Sequence, residues 1–276
     1  INILRGLKEA LVKNGFDGNT YASDVLSSKF LIPGTSRLLV PGIGHFIYRL
    51  LPVTGTWNLI ALALLITNSV FVSATCLLVN KLAIKISENT LIGLLASLLF
   101  LSNFIIVNHL LSGLIDSGVC FFFTLLILCV VEGKLKPLLI IAFLGPASKE
   151  VYLPFSAVYL LVFWATISIK EKCFNSKILS YIIITLVLST LTVIGLQSFA
   201  AGHLVLPIDQ ANSMRGLGAG PIATETGATL LRIGYMLGAL FSLGLVSLTR
   251  LNKTILFPLL SVMGLNIIFL LWVSLD

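Results

Sequence analysis

The longest apolar stretches of this sequence limit what the chain can fold into. Residues 55–79 and 178–200 are almost wholly apolar, and about 20 such residues in a helix cross a hydrocarbon core of roughly 30 Å. They lack the alternation of polar and apolar residues that marks a barrel strand. Of the 276 residues, 57% are hydrophobic and 11% are charged, which is more apolar surface than a soluble domain can bury. The sequence therefore predicts an all-α, polytopic membrane protein with one transmembrane domain over residues 1–276.

The apolar runs predict about eight membrane-spanning helices. One of them, 137–146, is ten residues long, and at about 1.5 Å per residue it reaches only half-way through the core. We therefore expect a half-depth helix there. The alternative is a single kinked span over 137–169. The predicted spans cover residues 55–79, 91–108, 116–131, 137–146, 151–169, 178–200, 228–248 and 255–275.

The distribution of basic residues distinguishes these alternatives, because cytoplasmic loops are enriched in lysine and arginine. Separate spans place nine of the eighteen basic residues in four short loops on one face. The fused span would move the loop "IKEKCFNSK" to the opposite face. We predict separate spans and a cytoplasmic lysine-rich face, in a bacterial inner membrane. The nine residues are Lys81, Lys85, Lys134, Lys136, Lys170, Lys172, Lys177, Arg250 and Lys253.

Residues suited to chemistry gather on the outer face of this topology. Because the fourth helix is short, Lys149 and Glu150 are expected below the outer surface, where an ionised group is costly unless protein surrounds it. They would line a cavity, or they would simply neutralise each other. The outer-face candidates are Asp17, Asp24, His109, Asp116, Lys149, Glu150 and Arg215, the last in the long loop 201–227.

The stretch "KFLIPGTSRLLVPGIGHFIYRLLP" is apolar but broken by prolines and glycines, which predicts a helix in the outer membrane interface instead of a span. Arg37, His45 and Arg49 recur at spacings of eight and four, as on one helical face. The arginines would anchor the helix on lipid phosphates or hold a lipid-linked phosphate in bidentate fashion. The outer segment 1–54 carries six basic residues, so either it binds something anionic or the orientation is reversed.

Four motifs in chain order resemble the membrane core of the GT-C glycosyltransferases: "DGNTY", "SRLLVPGIGHFIYRLLP", "LSGLID" and "ASKEVYLPF". The resemblance covers about residues 15–200. It implies an integral membrane enzyme that takes a sugar from a polyprenyl-phosphate carrier and attaches it to an acceptor outside the cytoplasm. Family members have a further span before the acidic motif, and such a span would deliver Ile1 to the outer side.

The resemblance also implies roles for individual residues. Asp17 best matches the acidic residue of the family's first extracytoplasmic loop, with Asp24 second, and this carboxylate would act as a base or polarise the acceptor. A cation must stabilise the departing phosphate, for which Arg37, Lys149 and Arg215 are the candidates. The predicted substrate- and phosphate-binding residues are Arg37, Arg49, Lys149, Glu150 and Arg215.

Three other matters stay open at this level. Asp116 and His109 offer ligands for Mg²⁺ or Mn²⁺, but no spacing requires a metal site. The expected partners are membrane lipids, a lipid-linked sugar donor and membrane proteins of a larger complex, and we expect no nucleic acid. The alternatives to an enzyme are a non-catalytic subunit of a membrane complex and a transporter.

Overall fold

The computed structural model of the chain describes residues 37–51, 59–103, 111, 116–201, 203–206 and 253–275. Within these ranges the chain forms eight α-helices and no strand, so the predicted all-α class is confirmed for this part of the chain. The helices are α1 (Leu39–Leu50), α2 (Leu59–Ser87), α3 (Thr90–Ser102), α4 (Asp116–Val131), α5 (Leu138–Ser148), α6 (Tyr152–Glu171), α7 (Ser176–Ala201) and α8 (Lys253–Leu275).

Three of these helices are long and apolar enough to cross a membrane, namely α2, α6 and the Ser176–Phe199 part of α7. The helices α3, α4 and α5 are apolar but shorter, as is the Lys253–Leu265 part of α8. Membrane insertion is thus supported by the described helices, whereas the count of about eight spans stays a prediction. The predicted span 228–248 lies outside the described residues.

The predicted short helix is present, and a break in the chain separates it from the next helix. The choice between separate spans and one kinked span over 137–169 stays a prediction. The helix α5 ends at Ser148, and Lys149 has an extended backbone (φ −168°, ψ 139°). The next helix begins with the hydrogen bond from the Tyr152 amide to the Lys149 carbonyl, 3.1 Å. Pro154 falls in its first turn, where a missing amide proton costs no helical hydrogen bond. The break therefore leaves Lys149 and Glu150 between two helices.

The contacts of the chain define two compact units. The first comprises Ile1–Leu153 and Ile184–Leu204, and the second comprises Pro154–Ile183 and Val205–Asp276. The helices α1 to α5 belong to the first unit, which also holds the described site candidates. In the second unit, the rings of Trp164 and Phe174 pack edge to face with centroids 5.5 Å apart.

In the first unit, α2 and α3 form an antiparallel hairpin. The side chain of Asn89 caps α3 by accepting hydrogen bonds from the amides of Leu91 and Ile92, at 2.9 and 3.4 Å, which satisfies two otherwise unpaired donors. Gly93 then lies so close to Ile84 that a Cβ atom would be 2.4 Å from its side chain. The glycine therefore permits the close approach of the two helices.

The helix α4 runs parallel to α2, because its two ends contact successive parts of that helix. Ser117 bonds to Asn68 near one end, and Glu132, just after α4, pairs with Lys81 near the other. Between them, Phe71 of α2 packs against the rings of Phe121 and Phe122 with centroids 5.7 and 6.2 Å apart. This aromatic contact forms part of the core of the first unit.

The helix α5 returns antiparallel to α4 and brings its end to the start of α4. A Cβ atom on Gly118 of α4 would lie 2.9 Å from the hydroxyl of Ser148 and 2.9 Å from a methyl group of Val40. The amide of Leu38 also donates to the carbonyl of Ala147, 3.0 Å. The beginnings of α1 and α4 and the end of α5 therefore meet at one place.

The helix predicted in the proline- and glycine-broken stretch is present as α1. Val40, Pro41 and Gly44 are buried, whereas Phe46 and Leu50 are exposed. The prediction that Arg37 shares one helical face with His45 and Arg49 is wrong, since α1 begins only at Leu39. Arg37 instead reaches Glu150, and the interfacial position of α1 stays a prediction.

Candidate functional site

The first element of the candidate site is a bidentate ion pair between Arg37 and Glu150. The Arg37 guanidinium donates from Nη2 to Oε1 of Glu150 at 2.7 Å and from Nε to Oε2 at 3.2 Å. The side chains are 16% and 9% exposed. Burial raises the pKa of the Glu150 carboxyl, but the hydrogen bonds and charge of Arg37 outweigh burial and hold that pKa below its ordinary value. The two side chains therefore form a charge-assisted pair.

The second element is the ion pair between Lys149 and Asp116. The Lys149 ammonium donates to Oδ1 of Asp116 at 2.6 Å, and the side chains are 20% and 35% exposed. Asp116 is the first residue of α4, where the helix dipole favours a negative charge. This pair is the more accessible of the two. We call Arg37, Asp116, Lys149 and Glu150 together the Arg37 cluster.

The break between α5 and α6 explains why neighbouring residues take different partners. In an extended backbone, successive side chains point to opposite sides, and Lys149 is extended. Lys149 consequently reaches α4 while Glu150 reaches the segment before α1. The interpretation that Lys149 and Glu150 simply neutralise each other is therefore wrong, although the Lys149 charge also contributes to the lowered pKa of Glu150.

Beneath the Arg37 cluster lies a buried polar contact. The hydroxyl of Ser117 donates to the side-chain oxygen of Asn68 at 2.6 Å, and both residues are fully buried. The contact fixes the first turn of α4, and with it Asp116, against α2. Gly118 adjoins it and admits Val40 and Ser148 at close range. The Arg37 cluster thus lies where α1, α2, α4 and α5 meet, and small residues allow these helices to pack closely there.

A different group of charges lies at the opposite end of α4. Glu132 accepts from Lys81 at 2.9 Å and from Lys134 at 2.6 Å, and the two lysines are 59% and 64% exposed. The hydrogen bonds of Lys134 and then of Lys81 lower the pKa of Glu132 to about 2. We call Lys81, Glu132 and Lys134 the Glu132 cluster.

Gly133 positions Lys134 of the Glu132 cluster. Its φ of 68° is a left-handed conformation that glycine adopts without steric cost. The amide of Gly133 donates to the carbonyl of Val130, and the amide of Lys134 donates to the carbonyl of Cys129. This is the hydrogen-bond pattern of a helix that ends at a glycine. The chain therefore turns back at the end of α4 and sets Lys134 beside Glu132.

The structure brings together four of the predicted site residues and leaves another apart. Arg37, Asp116, Lys149 and Glu150 converge from positions up to 113 residues apart. Arg49 is exposed in the last turn of α1, at the other end of that helix from Arg37. The remaining predicted site residues, Asp17, Asp24, His109 and Arg215, lie outside the described residues.

The predicted divalent cation finds no further support among the described residues. No group of three or more His, Cys, Asp or Glu side chains there could hold a metal ion. Asp116, one of the two predicted ligands, is bonded to the Lys149 ammonium. The metal stays a prediction, because the other ligand, His109, is outside the described residues.

Two features of the site were not predicted from the sequence. The hydrogen bond between Ser117 and Asn68 joins residues 49 positions apart, and only the packing of α4 on α2 makes it. The pairing of Lys149 with Asp116 likewise depends on α5 returning beside α4. A signal for both was present in the small residues Ser117 and Gly118 immediately after Asp116, since small residues mark close helix contacts in membranes.

Comparison of the chain with protein-family models, with curated proteins and with solved structures finds no match.

Proposed function

We propose that the chain is an integral membrane glycosyltransferase, which moves a sugar from a lipid-phosphate carrier to an acceptor on the extracytoplasmic side. The observation that carries the proposal is the Arg37 cluster, in which two cations and two carboxylates meet at one end of an apolar helical unit. Charges are costly in hydrocarbon, and where they occur between membrane helices they are candidates for a functional site. The resemblance of the motifs to GT-C enzymes supplies the class of reaction.

The depth of the Arg37 cluster supports a substrate-facing role. The helix α5 has 11 residues, so it rises about 16 Å, roughly half of a hydrocarbon core. With its first residue at the lysine-rich surface, its end would place Lys149 and Glu150 well inside the bilayer. A lipid-linked substrate would then reach them from the side, between the helices.

The proposed reaction makes two demands on the protein. The bond between the anomeric carbon and the carrier phosphate oxygen breaks, and the phosphate leaves with the bonding electrons. A bond forms between that carbon and the acceptor oxygen, whose proton passes to a carboxylate. The site must therefore supply a cation for the leaving phosphate and a base for the acceptor.

Lys149 is the described cation best suited to the phosphate. Its partner Asp116 is 35% exposed, so an incoming anion can compete for the ammonium at modest cost. The Arg37 guanidinium, in contrast, is bound in bidentate fashion to a nearly buried carboxylate. We therefore assign Lys149 to phosphate binding and the Arg37–Glu150 pair to positioning. Asp17 stays the proposed base, with Asp24 second.

The test is transfer of radiolabelled sugar from a polyprenyl-phosphate donor by the full chain in proteoliposomes. Asp17→Asn should lower the rate at least 100-fold, since general base catalysis typically contributes a factor of about 10² to 10⁴. Asp24→Asn tests the second candidate, and a loss confined to that variant would assign the base to Asp24. Equal rates for wild type and Asp17→Asn would remove Asp17 from the mechanism.

A second candidate function, a non-catalytic membrane subunit, is favoured by the surface of α3. Five of its leucines, Leu91, Leu94, Leu95, Leu98 and Leu99, are at least half exposed, and such a face could pack against another membrane protein. Absence of transfer by wild type with every donor offered would reject the enzyme and favour the subunit.

A further inference from the structure

Two exposed apolar stripes of the first unit lead towards lysines. On α2, Val70 and Leu77 are each more than half exposed, as is Lys81, and Lys85 follows as another exposed residue. The spacings of seven, four and four put these side chains on one helical face. The surface of α2 therefore changes from apolar to basic along its length.

The same change occurs along α5 in the opposite chain direction. Lys136 is exposed just before the helix, and Ile140 and Phe143 within it are each more than half exposed. Since α5 and α2 both have their basic residues at the Glu132 end of the first unit, the two stripes have the same polarity. An apolar surface that ends in cations matches acyl chains followed by phosphate headgroups.

Glu132 holds Lys81 and Lys134 near each other but does not cancel the positive charge around them. Lys81 and Lys134 donate to different oxygens of the one carboxylate, so the two ammonium groups are held near each other although they come from different elements. Each retains donors for another acceptor, because an ammonium has three. With Lys85 and Lys136 included, and Glu88 just after α2 also counted, four positive charges and two negative charges leave a net charge of +2 at this end of the first unit.

We propose that Lys81, Lys85, Lys134 and Lys136 form a binding surface for the phosphate headgroups of anionic phospholipids. We call these four residues the lysine patch. A soluble phosphate would use only the charges, whereas a phospholipid also covers the apolar residues that precede them on α2 and α5. The exposed Leu77 and Ile140, each one helical turn from a lysine of the patch, therefore favour a lipid. Lipid binding at this end is independent of sugar transfer at the other.

The experiment is titration of phosphatidylglycerol into the purified full chain in detergent, followed by native mass spectrometry. Lys81→Gln/Lys134→Gln should weaken binding about 30-fold, since each lysine near an anionic surface contributes about a factor of five. Lys170→Gln/Lys177→Gln removes the same charge from other exposed positions and should change the affinity less than about threefold. Lys81→Arg/Lys134→Arg should retain the wild-type affinity, because the charge is kept.

Three results would overturn the proposal. Unchanged affinity in the Lys81→Gln/Lys134→Gln variant would show that the lysine patch does not bind the lipid. An equal loss in the Lys170→Gln/Lys177→Gln control would show a general charge effect. Displacement of phosphatidylglycerol by an equal concentration of inorganic phosphate would assign the site to a soluble anion.

Discussion

The two ends of α4 carry similar charges in different surroundings. In the Arg37 cluster the cations are one-fifth exposed or less, whereas the lysines of the Glu132 cluster are more than half exposed. Exposed pairs add little to stability, because water screens the charges and long side chains lose entropy. A partly buried pair cannot lose one member without leaving a poorly solvated charge. Burial of the cation therefore determines how much an ion pair contributes to the stability of this fold.

The largest effect expected is that of Glu150→Gln. It removes the carboxylate that Arg37 contacts in bidentate fashion, which should lower the free energy of unfolding by roughly 3 kcal/mol, at the low end for a buried pair because Arg37 is partly exposed. Glu132→Gln is the matched control and should have a much smaller effect, because its lysine partners are more than half exposed to water. Reversible unfolding in mixed micelles gives both values.

A double-mutant cycle tests the cause of that loss. Arg37→Gln/Glu150→Gln should be less destabilising than the sum of the two single changes, because both single changes remove the same ion pair. Additive effects, or an equal loss for Glu132→Gln, would mean that the two ends do not differ as described.

The close packing beneath the Arg37 cluster gives the next largest effect. Gly118→Ala would place a Cβ atom 2.9 Å from Val40 and from Ser148, and overpacking of this kind costs about 1–3 kcal/mol. Gly195→Ala, on a helix surface with nothing within 4 Å, should stabilise by up to about 1 kcal/mol. Thermal unfolding should therefore move in opposite directions for the two variants, and a shared direction would contradict the close approach.

A smaller loss is expected from Ser117→Ala. The change removes the buried hydrogen bond to Asn68, and such bonds between membrane helices average about 0.6 kcal/mol. Ser180→Ala, at an exposed position where the hydroxyl bonds to the carbonyl of Ser176, is the control. If both variants unfold alike, the Ser117 hydrogen bond does not anchor the start of α4.

The smallest effect is in the dependence of stability on pH and salt. The pKa values of Glu150 and Glu132 are both lowered in the folded chain. Their stabilisation is therefore present above the unfolded value of 4.5 and is lost as the pH falls through each folded value, which for Glu132 is about 2.

High salt should affect the Glu132 and Glu150 carboxyl groups differently. At about 0.5 M salt, where screening acts over a few ångströms, Glu132→Gln should no longer alter the acid dependence of the melting temperature. Glu150→Gln should still alter it, because Arg37 and Glu150 are mostly shielded from the salt solution. Equal salt sensitivity in the two variants would place both carboxyls in the same environment.

The sequence predicted the helices better than the contacts between them. Apolar runs and the break at Lys149 located α4, α5 and α6 to within a few residues, because hydrophobicity and helix ends are local properties. The sequence did not predict that Arg37 precedes α1 and binds Glu150. Nor did it predict that Lys149 bonds to Asp116, because such partners are chosen by packing across 33 or more positions.

The helix α2 extends beyond the span predicted for it. The helix α2 continues to Ser87, beyond the predicted end at residue 79, so Lys81 and Lys85 are helical residues and not loop residues. The predicted span stopped where the apolar run ends. The helix can continue past that point because lysine stems lie along apolar surface while their ammonium groups reach water. This extension is what lets Lys81 reach Glu132 at the far end of α4.

The most direct test of the central claim is the rate of sugar transfer from a polyprenyl-phosphate donor by Lys149→Gln and Lys134→Gln in parallel with wild type. Both variants remove one lysine that is paired with a carboxylate, but from opposite ends of α4. We predict a loss of about 100-fold or more for Lys149→Gln, the size expected for removal of a group that stabilises charge in the transition state, and a change of less than about twofold for Lys134→Gln. Equal rates in the two variants would contradict the assignment of the site to the Arg37 cluster.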